Sequence, residues 1–143
     1  MSFNDRKANV KALVLSIALA MLPMGVLQAA DPEIVVIGNS AAQPLTKEQV
    51  ADLFLGKSLG MKLLDLPNSA PIKAAFYQKV SGHDLSQVKA TWSRLIFTGK
   101  AQAPKELSDA TAVKKAVAAD PKAVGYIEKS ESDSSVKILL TLN

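Results

Sequence analysis

Two pairs of small polar residues each follow an apolar run and precede a helix-like pattern. Asn39 and Ser40 come after EIVVIG, and Asn68 and Ser69 come after MKLLDL. In open α/β sheets, ligands bind beyond the carboxyl ends of strands, where helix N-termini direct partly positive N–H groups outward. These four residues are therefore the candidate ligand-binding residues, and the chemistry that they suit is the binding of a small anion.

The polar pair at Asn68 and Ser69 also has a purely structural interpretation. Ser69 would be the N-cap of the helix expected in PIKAAFYQKV, and Asn68 would form the turn before it. Each of these roles is worth about 1 kcal/mol of stability. At the level of sequence, capping and anion binding both remain open.

Other side chains give no pattern of a catalytic or metal site. His83 is the only histidine and lies in the turn-like segment SGHD, without a nucleophile or an orienting group beside it. The carboxylates stand next to helix starts or on helix surfaces and do not converge as metal ligands would. Gly38 is isolated and forms no glycine-rich phosphate loop. We expect a protein that is not an enzyme and that uses no cofactor.

Trp92 and Arg94 lie on the same helical pattern. Trp92 falls on the apolar stripe of that helix, which predicts packing in the core. Arg94 lies off the stripe near the C-terminal end, where the helix dipole favours a cation. A ligand-binding role for Arg94 is the alternative.

The first thirty residues have the three-part pattern of a secretory signal. Basic residues precede an apolar segment at 12–22, and the small residues Ala29 and Ala30 precede Asp31. The apolar segment is shorter than the roughly 20 residues that span a membrane. The pattern predicts cleavage after residue 30, one periplasmic domain at residues 31–143, and no membrane insertion after cleavage. An uncleaved N-terminal anchor is the alternative.

Composition limits the partners of this chain. It contains no cysteine, so it has neither disulfides nor a cysteine for lipid attachment. The formal net charge is +4, but half of this surplus lies in the first thirty residues. The remaining basic residues are scattered and aromatic residues are only 5% of the chain, so we expect no nucleic-acid partner.

Start and stop signals divide residues 31–143 into the order β-α-β-α-α-α-β-β. Thr46 with Gln49 and Asp84 with Gln87 form capping-box patterns, and Ser108 is expected to cap a further helix. The continuous apolar run EIVVIG favours a central strand of the kind found in parallel sheets. This order predicts a small three-layer-like α/β sandwich, in which helices pack on a mixed sheet.

Four segments in this order resemble one known family, the phosphate-binding proteins of ABC importers and, more closely, their short single-lobe relatives. The segments are PLTKEQVADLFLGK, PIKAAFYQKV, KATWSRLIFTGK and DPKAVGYIE. The resemblance spans nearly all of residues 31–143, and the order of the segments is more specific than any one of them. It implies a fold like one lobe of a type II periplasmic binding protein. It also implies phosphate or a related small oxyanion as ligand, and an ABC permease or another envelope protein as partner.

The resemblance leaves two functions open. The family's anion loop has the pattern Arg-x-x-x-Ser-Gly-Thr, and Ser69 matches its serine, whereas Asp65, Ala70 and Pro71 stand at the arginine, glycine and threonine positions. One hypothesis is an oxyanion-binding domain that uses Ser40 and Ser69. The other is a periplasmic protein-interaction module that kept the fold and lost the ligand, and it predicts an exposed apolar patch or an uncovered sheet edge.

Overall fold

The computed structural model describes Gly25, residues 31–57 and residues 60–143. The expected signal segment, apart from Gly25, lies outside the described residues. The strands are β1 (Ile34–Gly38), β2 (Lys62–Asp65), β3 (Lys105–Glu106), β4 (Ala123–Glu128) and β5 (Lys137–Leu142). The helices are α1 (Lys47–Phe54), α2 (Pro71–Ser81), α3 (Leu85–Phe97) and α4 (Ala110–Ala119), with a 3-10 turn at Lys129–Glu131.

The five strands form one mixed sheet in the order β3-β2-β4-β1-β5. β2 runs parallel to β3 and β4, whereas β1 runs antiparallel to β4 and β5. The central, fully buried position expected for β1 is confirmed, but the parallel pairing expected for it is wrong. A continuous apolar run reports burial on both faces of a sheet, and that burial does not depend on strand direction.

Helices cover both faces of this sheet. On one face, a Cβ atom added to Gly125 of β4 would lie 2.5 Å from Cγ1 of Val113 in α4. The next residue, Tyr126, stacks on Phe76 of α2 with ring centroids 3.8 Å apart. Successive strand side chains point to opposite faces, so α4 and α2 lie on opposite sides of the sheet. This arrangement confirms the predicted three-layer sandwich.

The expected capping boxes at Thr46 and Asp84 are both present. Other expectations at element ends are corrected. Asp109, rather than Ser108, caps α4, because its carboxylate accepts a bond from the Ala112 N–H at 2.8 Å. The expected loop AQAPKEL contains the two-residue strand β3, which pairs with the end of β2.

The core of the described part of the chain is one cluster, and every member lies between residues 34 and 142. Trp92 belongs to it as predicted, and its Nε1–H donates to the carbonyl oxygen of Phe54 at 2.9 Å. Ile96, expected on the buried stripe, is instead 52% exposed, because the last turn of α3 extends beyond this core. The helices of the described residues are all too short or too polar to cross a membrane.

Candidate functional site

The start of α2 lacks the side-chain cap that the sequence predicted. The N-cap residue is Ala70, Pro71 is the first helical residue, and no side chain accepts a bond from the first turn. Ser69 is therefore not the N-cap, and that expectation is wrong. The chain turns one residue later than expected, where the Ala70 N–H bonds to the carbonyl oxygen of Pro67 at 2.9 Å. Asn68 lies in this turn, as its residue type predicts.

Both candidate side chains at this turn are exposed. Neither Asn68 nor Ser69 takes part in the side-chain hydrogen bonds found among the described residues, and α2 has no acidic residue in its first turn. The other three helices begin differently, because a threonine or aspartate side chain caps each of them. The start of α2 therefore presents two exposed polar side chains, without hydrogen bonds to the described residues, beside the positive end of a helix dipole.

Directly before this turn, Asp65 ends β2 with its carboxylate pointing inward. The residue is 5% exposed. Oδ2 accepts a hydrogen bond from the Tyr77 hydroxyl at 2.7 Å, and Oδ1 accepts one from the Leu66 N–H at 2.8 Å and a short one from the Tyr126 hydroxyl. The ammonium group of Lys73 lies 3.5 Å from Oδ2. Both carboxylate oxygens are thus hydrogen-bonded inside the protein, and the carboxylate does not face the turn at Ser69.

Lys73 connects this buried carboxylate to the edge of the sheet. Its side chain is 7% exposed, and its ammonium group also lies 2.9 Å from Oε1 of Glu106 in β3. The Leu107 N–H donates to the backbone oxygen of Asp65 at 2.9 Å. These contacts join β2, α2 and β3, so they set the position of the loop that carries Asn68 and Ser69.

Burial raises the pKa of both tyrosine hydroxyls above the ordinary value of 10.0, and the nearby Asp65 charge raises the pKa further. Tyr77 and Tyr126 therefore stay protonated and act as hydrogen-bond donors to Asp65. This network of two phenols, one ammonium and one carboxylate has its polar atoms paired. It is built to hold structure rather than to transfer protons to a ligand.

Sequence reasoning missed this network. The signal was present as a second helical row, since Lys73 and Tyr77 stand four residues apart and directly follow Ile72 and Phe76. The row of Ile72 and Phe76 is apolar, whereas the row of Lys73 and Tyr77 is polar. A hydrophobic pattern therefore identifies only the first row as buried, although both rows are.

The junction after β1 has a different character. The Asn39 side-chain amide donates to the carbonyl oxygens of Ala118 and Val117 at 2.9 and 3.4 Å, in the last turn of α4. Ser40 is exposed, and its hydroxyl contacts Oδ1 of Asn39 at 3.5 Å. Asn39 thus ties the loop to the negative end of a helix dipole, which disfavours an anion.

The two junctions lie at opposite ends of the sheet. Val124 of β4 pairs with Gly38 at the end of β1 and with Leu63 near the start of β2. From that row β1 and β2 continue in opposite directions, because β1 is antiparallel to β4 and β2 is parallel to it. β1 ends in that row and β2 ends at Asp65, two residues or about 7 Å further along the sheet, and the polar pairs that follow continue away from each other. One small anion therefore cannot contact both pairs of candidate residues.

The remaining candidate groups do not join either junction. Nδ1 of His83 lies 2.9 Å from the backbone oxygen of Ser81, and Arg94 is exposed on α3. Within the described residues, no three His, Cys, Asp or Glu side chains are placed to hold a metal ion. A groove of about 570 Å³ lies between β2 and α4, lined in part by Lys62, Lys105 and Asp120. It includes none of the four predicted residues.

No protein-family model matches the sequence, and no curated protein matches it. The backbone is nevertheless similar to solved structures of phosphate-binding proteins. A protein from Clostridium perfringens, described as a phosphate ABC transporter substrate-binding protein with bound phosphate, is 19% identical with a TM-score of 0.58. The match covers 76% of this chain and 45% of that one.

Two further structures give the same result. An ABC-type phosphate transport receptor from Vibrio cholerae is 17% identical, with a TM-score of 0.57 over 76% of this chain and 46% of that chain. PstS from Borrelia burgdorferi is 12% identical, with a TM-score of 0.56 over 76% and 47%. The matches span less than half the length of each of these proteins. At such identities the likeness shows the fold, and it confirms an α/β domain resembling one lobe of a periplasmic binding protein.

Proposed function

We propose that this chain is an exported, non-enzymatic solute-binding domain that binds phosphate or a related small oxyanion at the start of α2. One observation carries the proposal. α2 begins without a side-chain cap although Asn68 and Ser69 stand directly before it, and both side chains are exposed and uncommitted. The fold likeness to proteins described as phosphate-binding supports the choice of ligand.

Electrostatics at this helix start favours an anion. The N–H of Ile72 lies at the second helical position, where the helix offers it no partner, and no carboxylate lies in the first turn. Asp65, the nearest acid in sequence, points inward onto Lys73 and two phenols, and the exposed carboxylate of Glu106 is paired with Lys73. The Ser69 hydroxyl and the Asn68 amide would supply further donors.

The expected affinity is low. Pro71 removes one N–H donor from the first turn. A helix dipole contributes up to about 1 kcal/mol at an exposed site, and two hydrogen bonds contribute about 1 kcal/mol each. This sum lies just below the roughly 4 kcal/mol that corresponds to a millimolar dissociation constant. We therefore expect phosphate to bind in the millimolar range or more weakly.

Titration of ¹⁵N-labelled protein with sodium phosphate tests the site, with sodium chloride at matched ionic strength as the control. We expect saturable amide shifts at Ser69, Ala70 and Ile72, and none at Asn39 and Ser40. Ser69→Ala should weaken the response, whereas Ser40→Ala should leave it unchanged. Shifts that are absent, or that occur equally with chloride, contradict the proposal.

Export and delivery of the ligand to an ABC permease complete the proposed function. The three-part pattern of residues 1–30 supports export. The mass and N-terminal sequence of the protein recovered from a periplasmic fraction test it, and we expect the chain to begin at Asp31. Recovery of the full 143-residue chain in the membrane fraction would indicate the uncleaved anchor instead.

A second candidate is the ligand-free interaction module, and the edge strand β5 favours it. Within the part of the chain that the structure describes, β5 pairs with β1 alone, so its outer edge is open to an added strand. The loop before α1 blocks part of this edge, where the Leu45 N–H bonds to the backbone oxygen of Leu139 at 3.1 Å. This module should retain a partner in a periplasmic pull-down, and a monomer that retains none counts against it.

A further inference from the structure

The end of α3 carries two apolar side chains that stand out from the surface. Phe97 is 93% exposed and its neighbour Ile96 is 52% exposed. Single exposed apolar residues are common, but an almost fully exposed phenylalanine beside a second large apolar residue is a feature to explain. We call Ile96 and Phe97 the α3 tip.

The α3 tip lies in a helix C-terminus whose last turn is capped by hydrogen bonds. The Gly99 N–H bonds to the carbonyl oxygen of Ile96 and the Lys100 N–H to that of Leu95, both at 3.0 Å. Gly99 is in the left-handed conformation, with φ of 68°, which completes a Schellman motif. The Thr98 hydroxyl bonds to the carbonyl oxygens of Arg94 and Leu95 at 3.1 Å. The last turn therefore presents its apolar side chains with most of its carbonyl groups already bonded.

Only cations surround the tip in sequence. Residues 85–105 contain no Asp or Glu. Their four basic residues are exposed, and none of them enters an ion pair among the described residues: Lys89, Arg94, Lys100 and Lys105. Arg94 lies one helical turn before Phe97, and Lys100 follows it by three residues. These charges favour an anionic occupant.

We propose that the α3 tip docks on the surface of a bilayer that contains anionic lipids, with Phe97 and Ile96 in the interfacial region and the flanking cations on the headgroups. A second copy of this chain does not fit, because a two-fold contact at the tip would bring Arg94 and Lys100 close to the same two cations of the other copy. The tip also protrudes, whereas a protein partner would need a matching recess. Because most carbonyl groups of the last turn are bonded, the turn can enter the interfacial region with few unpaired backbone groups.

This docking adds a surface contact to the expectation that residues 31–143 are not inserted in a membrane after cleavage. No helix of the described residues can span a bilayer, and the proposal places only two side chains in the interface. Two apolar side chains and a few cations give weak, reversible attachment. The proposal does not depend on anion binding by α2, so each can fail without the other.

Co-sedimentation with vesicles tests the proposal. The protein is residues 31–143, which contain the whole described core and so are expected to fold without the signal segment. Vesicles are phosphatidylcholine with about one-third phosphatidylglycerol, and pure phosphatidylcholine is the comparison. We expect binding to the anionic vesicles at millimolar lipid, with a large loss when salt rises from about 0.05 to about 0.5 M.

Variants locate the contact. Phe97→Ser should lower partitioning about tenfold, and Arg94→Glu with Lys100→Glu should lower it at least about tenfold. Matched controls are Ile138→Ser, an exposed apolar residue on β5, and Lys115→Glu on α4, and both should bind like the unmodified protein. Thermal unfolding of each variant should match the unmodified protein, because the substituted side chains lie outside the core.

Three results would overturn the proposal. One is that the unmodified protein does not sediment with anionic vesicles. Another is that Phe97→Ser sediments as well as the unmodified protein, which would mean adsorption by charge alone. The last is that Phe97→Ser abolishes either a dimer in light scattering or a purified protein complex, which would assign the tip to a protein contact.

Discussion

When Ser69 is matched to the serine of the anion-loop pattern, Asp65 stands at the arginine position. In the structure its carboxylate points into the protein. Its two carboxylate oxygens accept bonds from Tyr77 and Tyr126, and Lys73 balances its charge. Two of these three side chains, Tyr77 and Lys73, lie on α2 and Tyr126 lies on β4, so a single carboxylate holds the helix to the sheet. The acid that would repel an anion at the surface is instead neutralised inside the protein.

Replacing this carboxylate should destabilise the protein strongly. Asp65→Asn removes the buried charge partner of Lys73, whose side chain is 7% exposed and keeps the exposed carboxylate of Glu106 as its other partner. Removing one partner of a buried ion pair costs about 3–5 kcal/mol when the other charge is left uncompensated. Glu106 still lies 2.9 Å from the ammonium group of Lys73, so we expect a smaller loss of about 2–3 kcal/mol. Urea unfolding followed by the fluorescence of the single tryptophan, Trp92, measures this loss.

The controls for this variant separate burial from charge. Asp120→Asn removes the partner of an exposed lysine, Lys62, and should cost no more than about 1 kcal/mol. Adding Lys73→Met to Asp65→Asn removes the buried ammonium group, which has lost its buried partner, and should restore part of the lost stability. A loss for Asp65→Asn no larger than that for Asp120→Asn would show that the network does not hold α2.

At the scale of elements, local signals in the sequence place most helix boundaries. Thr46 and Asp84 are short polar residues with a glutamine three positions later, and both form capping boxes in the structure. Ser69 fails as a cap because the turn at Pro67 extends to Ala70, which leaves the serine outside the helix. β3 could not be found from its two exposed residues, since pairing with β2 alone defines it.

The difference in capping predicts that the same type of substitution costs stability at two helix starts and almost none at the third. Thr46→Ala and Asp84→Ala should each lower the free energy of unfolding by about 1 kcal/mol, because each removes a bond to the first turn of a helix. Ser69→Ala should change it by less than about 0.5 kcal/mol, since Ser69 bonds to no helix N–H. Chemical denaturation of the three variants measures this, and a cost for Ser69→Ala equal to the others would restore the capping interpretation.

For the whole molecule, the direction of β1 decides which residues can share a site. The polar pairs after β1 and β2 looked equivalent in sequence, since both follow apolar runs. The antiparallel pairing of β1 with β4 sends Asn39 and Ser40 to the other end of the sheet from Asn68 and Ser69. Strand direction depends on contacts between residues about 90 positions apart, and no local pattern records it.

The chain has only two tyrosines, and both lie in the buried network, so alkaline pH should unfold the protein cooperatively. Burial and the Asp65 charge raise the pKa of Tyr77 and Tyr126 above 10.0 in the folded state. The folded chain then keeps both protons, whereas the unfolded chain loses both above about pH 10. Stability contributed by these groups is therefore fully present below pH 10 and falls as pH rises further, by about 2.7 kcal/mol per pH unit.

Tyrosinate absorbance near 295 nm reports both hydroxyls directly. We expect no absorbance change in the folded protein up to the pH at which Trp92 fluorescence shows unfolding, and then a single step for both signals. Tyr126→Phe should halve the pH dependence above pH 10 to about 1.4 kcal/mol per pH unit, because one titrating group remains. Gradual ionisation near pH 10 while the fold persists would mean that the two phenols are open to solvent, and it would contradict the inward Asp65 network on which the position of α2 depends.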